Sequence, residues 1–167
     1  KDGCEVYNSA KMTLEEVIAV MAPAAKAGKT VVRLHTGDPC VYGAHREQMD
    51  ELDRLGLAYE VCPGVSSFCG AAAALKAEYT LPNVSQSVIL TRMEGRTPVP
   101  EKEQIEAFAA HGATMVIFLS AGQLPRLSER LIAGGYAPDT PAAIVYKATW
   151  PDEKVVRTTV ADLAEAA

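Results

Sequence analysis

Several common signatures of catalysis are missing from this sequence. No predicted strand is followed by G-x-G-x-x-G, and the phosphate-binding pattern G-x-x-x-x-G-K-[ST] does not occur. These absences argue against a Rossmann dinucleotide site and against a P-loop. The nucleophile elbow G-x-S-x-G and the zinc-protease motif H-E-x-x-H are also absent, so neither a serine-hydrolase nor a metalloprotease site is predicted.

Cysteines are few and are not arranged in pairs. The sequence holds four, Cys4, Cys40, Cys62 and Cys69, with no C-x-x-C pattern. This spacing favours neither a zinc ribbon nor a disulfide framework, and reduced thiols in a cytoplasmic protein fit best. His35 and His45 lie near Cys40 in the sequence, but closeness along the chain is not coordination, and no metal site is expected.

Positive charge and long apolar runs are also scarce. The 167 residues carry a net charge of −5, which argues against a general nucleic-acid surface. No run of eighteen apolar residues is present, and the first ten residues hold no apolar core of signal-peptide length. With 49% hydrophobic and 22% charged residues, the composition predicts a soluble globular protein without a membrane anchor.

The first half of the chain alternates predicted strands and helices. A short strand is expected at residues 5–7, and the capping box Thr13 to Glu16 predicts a helix that ends near Gly28. Strands are then expected at residues 30–35 and 57–62, with helices at 42–55 and 68–76. The order predicts parallel strands with right-handed crossovers.

The second half repeats the alternation after an irregular connection at residues 79–85. Strands are expected at residues 86–91, 114–119, 142–146 and 154–159, with helices at 101–110 and 123–133. The run TMVIFL predicts a strand covered on both faces, and the last two strands are expected to pair as a hairpin. The prediction is therefore a two-lobed α/β fold, with lobes at residues 1–80 and 81–167.

Polar turns follow several of the predicted strands. They lie at Thr36-Gly37-Asp38, Ser66-Ser67, Leu119-Ser120 and Lys147-Ala148, where an open α/β sheet places its ligands. We expect these turns to face one crevice between the lobes. A purely structural role also fits, because Asp38 forms an Asx turn and Ser66 and Ser67 cap a helix equally well.

The loop at residues 92–100 holds two arginines and two prolines. The planar guanidinium groups of Arg92 and Arg96 suit carboxylates, so both are candidate clamps for an acidic ligand. The alternative is that both are solvated surface charges.

Four segments carry a resemblance to a known family: HTGDPCVYGA, EVCPGVSSF, YTLPNVSQSVILTRMEGRTPVPEKE and VYKATWPDEKVVRTTVADL. Together they resemble the tetrapyrrole methyltransferases of cobalamin biosynthesis, over nearly the whole chain. The runs TRMEGRTPVP and YKATWPDEK are similar to the branch that methylates C11 of precorrin-4. GDP and PGVSS occur across the superfamily.

The resemblance implies a cofactor, a substrate and their sites. S-adenosylmethionine is the expected methyl donor and leaves as S-adenosylhomocysteine. Its contacts fall on the four turns, at Thr36, Gly37, Asp38, Ser66, Ser67, Leu119, Ser120 and Ala148. The tetrapyrrole is expected to meet Tyr42, Arg92, Glu94 and Arg96. No catalytic residue is assigned, and a homodimer is expected.

Two parts of the family pattern are missing here. Members begin with a strand and a G-x-G-P-G-D loop, and they continue past the last residue of this chain. The N-terminal lobe is therefore expected to be incomplete, without that strand and loop, and the C-terminal lobe to lack its end. A uroporphyrinogen-III methyltransferase and an inactive ligand-binding fragment stay open as alternatives.

Overall fold

The computed structural model describes residues 3–166. Over these residues the chain is α/β and separates into two compact units, divided between Ser66 and Ser67. Within the described range no helix has both the length and the apolar character to cross a membrane.

The first unit is built on two helices, α1 (Leu14–Lys26) and α2 (Arg46–Arg54), which pack against each other. The predicted capping box at the start of α1 is confirmed: the Thr13 hydroxyl accepts the Glu16 N–H at 3.3 Å. The Glu16 carboxylate in turn accepts the Thr13 N–H at 2.8 Å. Two of the four unpaired N–H groups at the helix start are thereby satisfied. The buried faces of the two helices carry Val17, Ile18, Ala22, Gln48 and Leu52.

The strands predicted in this unit are not formed, so that part of the prediction is wrong. Residues 5–7, 30–35 and 57–62 are irregular, and none has a ladder partner among residues 3–166. The apolar run at 30–35 predicted burial, yet the exposed fractions of Val32 and Leu34 are 77% and 81%. A strand exists only with a hydrogen-bonded neighbour, and apolar content alone does not supply one.

The second unit carries helix α3 (Ser67–Leu75) and two small sheets. Strands β1 (Val88–Arg92) and β2 (Thr114–Phe118) pair in parallel, with Val88 opposite Thr114. Strands β3 (Pro141–Tyr146) and β4 (Lys154–Thr159) form the predicted antiparallel hairpin. These four strands match the predicted ones to within two residues at each end.

Helices α4 (Ile105–Ala109) and α5 (Leu124–Ala133) connect the strands and supply most of the core. The helix predicted at 101–110 is split, because Gln104 takes an extended conformation between a 3-10 turn (Glu101–Glu103) and α4. The core consists of Met93, Ile105, Ala109, Leu124, Leu127, Leu131, Val160 and Leu163. Ile105, only 1% exposed, is the most deeply buried of them.

The segment before β1 is attached to the second unit by side-chain hydrogen bonds. Thr114 donates from its hydroxyl to the Tyr79 carbonyl at 2.9 Å, and Arg157 donates to the Leu75 carbonyl at 2.5 Å. These contacts explain why α3 groups with the second unit. The lobes predicted at residues 1–80 and 81–167 remain a prediction.

Candidate active site

Two turns of the first unit are joined through Asp38. One of its carboxylate oxygens accepts the Cys40 N–H at 2.8 Å and the other accepts the Gly64 N–H at 2.7 Å. The turn at residues 36–40 is thereby fixed to the turn that precedes Ser66. Three predicted cofactor contacts, Thr36, Gly37 and Asp38, thus lie beside the turn that carries a fourth, Ser66.

Glycines allow these turns to approach. A Cβ added to Gly64 would overlap the carbonyl oxygen of Gly37, so only glycine fits where the two backbones meet. Gly37 itself has φ of 69°, a left-handed conformation that glycine adopts without penalty. The turn continues through Tyr42, which also has a left-handed φ, 56°, and is 45% exposed.

The Asp38 carboxylate is held in its ionised form. Hydrogen bonds with the thiol and the N–H of Cys40, followed by the Gly64 N–H, lower the pKa of Asp38 below its usual value of 3.8. The hydrogen bond to Asp38, followed by burial and the negative charge of the carboxylate, in turn raises the pKa of the Cys40 thiol. The link between the turns is therefore complete at neutral pH.

Because the folded pKa is depressed, we expect the stability that Asp38 contributes to be present above its unfolded pKa and lost as the pH falls through the folded value. Thermal unfolding measured from pH 7 to about pH 3 tests this. The melting temperature of Asp38→Asn should lie below that of the wild type at neutral pH and converge with it in acid. Asp139→Asn, which alters an exposed carboxylate, is the control. A constant difference across the whole range would contradict the assignment.

In the second unit, the ends of β1 and β2 are joined by Ser120. Its hydroxyl accepts the Met93 N–H at 3.1 Å and donates to the Phe118 carbonyl at 2.7 Å, and the residue is 3% exposed. Leu119, just before it, has a left-handed φ of 55° and is 79% exposed. Ser120 thus holds the strand ends together, while Leu119 is the residue that faces outward.

Helix α3 and the loop between β3 and β4 bring two further predicted contacts near each other. A Cβ added to Gly70 would lie 3.3 Å from the Ala148 Cβ. Ser67 opens the same helix three residues earlier, which places it on the same face as Gly70. Ala148 therefore packs close to the first turn of α3, where Ser67 lies.

The arginine-bearing loop at residues 92–98 is folded on itself. The Arg92 guanidinium donates to the Thr97 hydroxyl at 2.9 Å, the Thr97 carbonyl at 3.3 Å and the Pro98 carbonyl at 3.2 Å. Arg96 is exposed, and over residues 3–166 its side chain makes no hydrogen bond or ion pair. Arg92 shapes the loop, and Arg96 is left available to a ligand.

Two arginines of α5 bind the Glu94 carboxylate. Arg130 donates to both of its oxygens, at 2.8 and 2.7 Å, and Arg126 also contacts it. A hydrogen bond from its own N–H, together with Arg130, lowers the pKa of Glu94. Arg130 also binds Glu106 and Gln104. In this arrangement Glu94 fixes the loop to α5.

The groove between α1 and α2 has a volume of about 410 Å³ and is lined by Leu14, Ile18, Ala22, Leu55 and neighbouring residues. None of the predicted site residues lines it. Within residues 3–166 no group of three or more His, Cys, Asp or Glu side chains is placed to hold a metal ion. The predicted turns of each unit therefore remain the candidate cofactor contacts.

The sequence profile of the family described as Tetrapyrrole (Corrin/Porphyrin) Methylases matches residues 2–164. The chain belongs to the tetrapyrrole methylase family. Among curated members, the cobalt-precorrin-4 C(11)-methyltransferase of Methanocaldococcus jannaschii is 56% identical over 165 residues. That alignment covers 99% of this chain and 64% of the relative. The precorrin-4 C(11)-methyltransferase of Mycobacterium tuberculosis is 45% identical, over 97% of this chain and 65% of the relative.

Solved structures of tetrapyrrole methylases agree with the fold. The X-ray structure of the cobalt precorrin-4 methyltransferase CbiF superposes with a TM-score of 0.96 at 52% identity, covering 99% of this chain and 70% of that one. Uroporphyrin-III C-methyltransferase from Thermus thermophilus, in complex with S-adenosylhomocysteine, gives 0.75 at 26% identity, covering 90% and 66%. The predicted α/β tetrapyrrole methyltransferase fold is confirmed. This chain spans a little under two thirds of the length of the curated relatives named above.

Three positions in this region were not among the residues singled out from the sequence. Gly70 and Arg130 contact residues in other parts of the chain. Glu153 binds the N–H of Thr149, whose backbone is left-handed. A Pro-Gly or capping pattern marks a local turn, but no local pattern marks these contacts. The turn at Lys147-Ala148 was predicted, but the left-handed backbone of Lys147 and Thr149 was not.

Proposed function

We propose that the protein transfers a methyl group from S-adenosylmethionine to C11 of a precorrin-4-type tetrapyrrole in cobalamin biosynthesis. The observation that carries the proposal is the match to the cobalt precorrin-4 methyltransferase structure, at a TM-score of 0.96 and 52% identity. The uroporphyrin-III enzyme is a more distant match, at 26% identity. The C11 branch is therefore favoured over the other activity of the same fold.

The residues of the turns fit an adenosyl ligand. Ligand sites carry a few polar groups that meet the ligand, and backbone N–H and C=O groups not used within the protein are one kind of such group. Over residues 3–166 the N–H and C=O of half-buried Ala148 make no hydrogen bond. Left-handed non-glycine backbone occurs at Leu119, itself a predicted cofactor contact, and at Lys147 and Thr149, which flank Ala148. Strained backbone of this kind is concentrated at ligand sites.

When bound, S-adenosylmethionine supplies a methyl group on a sulfonium, which is already a strong electrophile. The residues of this chain then have to bind and orient rather than activate. Holding two reactants in line is worth up to about 7–11 kcal/mol in oriented systems. We assign that orienting role to the turns at Gly37, Leu119 and Ala148, and we assign no general base.

For the substrate, we propose that Arg96 meets one of the carboxylates of the tetrapyrrole. Its guanidinium is exposed and makes no bond within residues 3–166, and a forked cation suits a carboxylate. Arg92 and Glu94 act at the same loop by fixing its shape, through Thr97 and Arg130 respectively. Tyr42 is proposed as a further substrate contact.

Methyl transfer with isotope-labelled S-adenosylmethionine tests the function. We expect incorporation into precorrin-4 or its cobalt form and not into uroporphyrinogen III. Incorporation into uroporphyrinogen III alone would instead support the activity of a uroporphyrinogen-III methyltransferase, and no binding of S-adenosylhomocysteine by calorimetry would reject the proposal.

Arg96→Ala should raise the KM for the tetrapyrrole about tenfold, because it removes a charged hydrogen bond, and should leave cofactor binding unchanged. Arg54→Ala, an exposed arginine of α2, is the matched control.

We also propose that the protein works as a cytoplasmic homodimer. All four cysteines are free and exposed, which suits a reducing compartment. The dimer is inferred from the family resemblance. Sedimentation equilibrium gives the mass in solution, and a monomer at micromolar concentration would overturn the dimer.

A further inference from the structure

The loop between β3 and β4 has an unusual backbone. Lys147 and Thr149 have φ of 49° and 73°, and neither is a glycine. A positive φ is uncommon for any side chain and is a clear outlier for a β-branched one such as threonine. Such a conformation persists only where the surroundings enforce it. Ala148, a proposed cofactor contact, lies between these two residues.

Contacts within the loop enforce the conformation. The Thr149 N–H donates to a Glu153 carboxylate oxygen at 2.6 Å, and the Lys147 ammonium donates to Asp152 at 2.6 Å. The backbone closes further, with Trp150 N–H bonded to the Lys147 carbonyl at 3.0 Å and Glu153 N–H to the Trp150 carbonyl at 3.0 Å. The Glu153 carboxylate thus binds the main chain of the residue next to Ala148.

Helix α3 bounds the loop on another side. A Cβ on Gly70 would lie 3.3 Å from the Ala148 Cβ and 4.0 Å from the Thr149 Cγ2. The first distance is shorter than ordinary van der Waals contact between carbons. An added methyl would therefore displace Ala148 by a few tenths of an ångström. The absence of a side chain at position 70 sets how closely the loop approaches the helix.

We propose that Glu153 and Gly70 are positioning residues for the cofactor, acting through Ala148. Glu153 keeps the loop in its left-handed form, and Gly70 lets it lie against α3. The inference rests on the proposed function, because it takes Ala148 to be a contact of S-adenosylmethionine. Neither residue is proposed to touch the ligand; both determine where the free N–H and C=O of Ala148 point.

Calorimetric titration of S-adenosylhomocysteine into the intact protein is the test. Glu153→Ala should weaken binding about tenfold or more, since it removes a hydrogen bond to a charged acceptor. Glu153→Gln keeps an acceptor oxygen and should stay within about threefold of the wild type. Gly70→Ala should weaken binding by about three- to tenfold through misplacement. Glu129→Ala and Gly122→Ala are matched controls, at an exposed glutamate and at a glycine with open space around it.

Steady-state kinetics separates positioning from a general loss of stability. The KM for S-adenosylmethionine should rise in Glu153→Ala and Gly70→Ala, with the KM for the tetrapyrrole unchanged. Wild-type affinity in both variants would overturn the inference while leaving the proposed function standing. A lowered melting temperature with unchanged affinity would also overturn it. If the wild type itself fails to bind S-adenosylhomocysteine, the proposed function fails first.

Discussion

Replacing Arg130 with methionine is expected to lower the free energy of unfolding by about 2–4 kcal/mol, somewhat less than removal of one partner from a fully buried ion pair. The Arg130 side chain is 12% exposed and binds Glu94, Glu106 and Gln104. Its removal leaves Glu106 without its cation and Glu94 with only the more exposed Arg126, in a partly desolvated place. Glu106 is 40% exposed, so water offsets part of the loss at that carboxylate.

Urea denaturation of Arg130→Met beside Arg126→Met measures this effect. Arg126 also contacts Glu94, but its side chain is 55% exposed, so its loss should cost less than about 1 kcal/mol. The two variants therefore separate a buried network from a surface ion pair that shares one carboxylate. Equal destabilisation by both would contradict the prediction.

Replacing Gly64 with alanine is expected to weaken the binding of S-adenosylhomocysteine by about 100-fold, the cost of a misplacement on the order of 1 Å. The added methyl would overlap the Gly37 carbonyl oxygen, which belongs to the backbone and cannot rotate away. The turns must separate, and the bond from the Gly64 N–H to Asp38, now 2.7 Å, is broken. We expect a loss of unfolding free energy of about 1–3 kcal/mol as well.

Gly95→Ala is the control for this variant, because an added Cβ at Gly95 meets no atom within 4 Å. Calorimetry gives the affinity of both variants, and chemical denaturation shows that each is folded under the same conditions. Binding by Gly64→Ala within threefold of the wild type would contradict the assignment of these turns to the cofactor.

The second half of the fold was predictable from the sequence because its signals are local and mutually consistent. The run TMVIFL predicted β2, and the helix expected at residues 123–133 is α5, whose buried residues include Leu124, Leu127 and Leu131. The hairpin of β3 and β4 follows from two short apolar runs separated by a polar loop. In each case a short stretch of chain contains most of the information that fixes the element.

The first half was less predictable because strand formation depends on a partner elsewhere in the chain. The residues at 30–35 have the composition of a buried strand, yet Val32 and Leu34 are exposed. The turn at Gly37 and Asp38 was predictable from the sequence, but the bond that joins Asp38 to Gly64, 26 residues away, was not. Contacts of that separation are not marked by any periodicity.

The candidate site shows the same division. The turns themselves were predicted from Gly, Pro, Ser and Asp at strand ends, and their assignment to the cofactor stays a prediction. The features that shape them were not predicted. Gly70, Glu153 and the left-handed φ of Lys147 become apparent only when the loop between β3 and β4 is seen against α3.

The two hydrogen bonds that Asp38 accepts also determine which substitutions are compatible with this turn. The hydrogen bond from position 40 to the Asp38 carboxylate is donated by the backbone N–H, so it does not depend on the side chain at that position. Nineteen of the twenty residue types supply that nitrogen with its hydrogen, and proline alone does not. Every residue except proline at position 40 therefore keeps this backbone bond, whereas position 64 is confined to glycine.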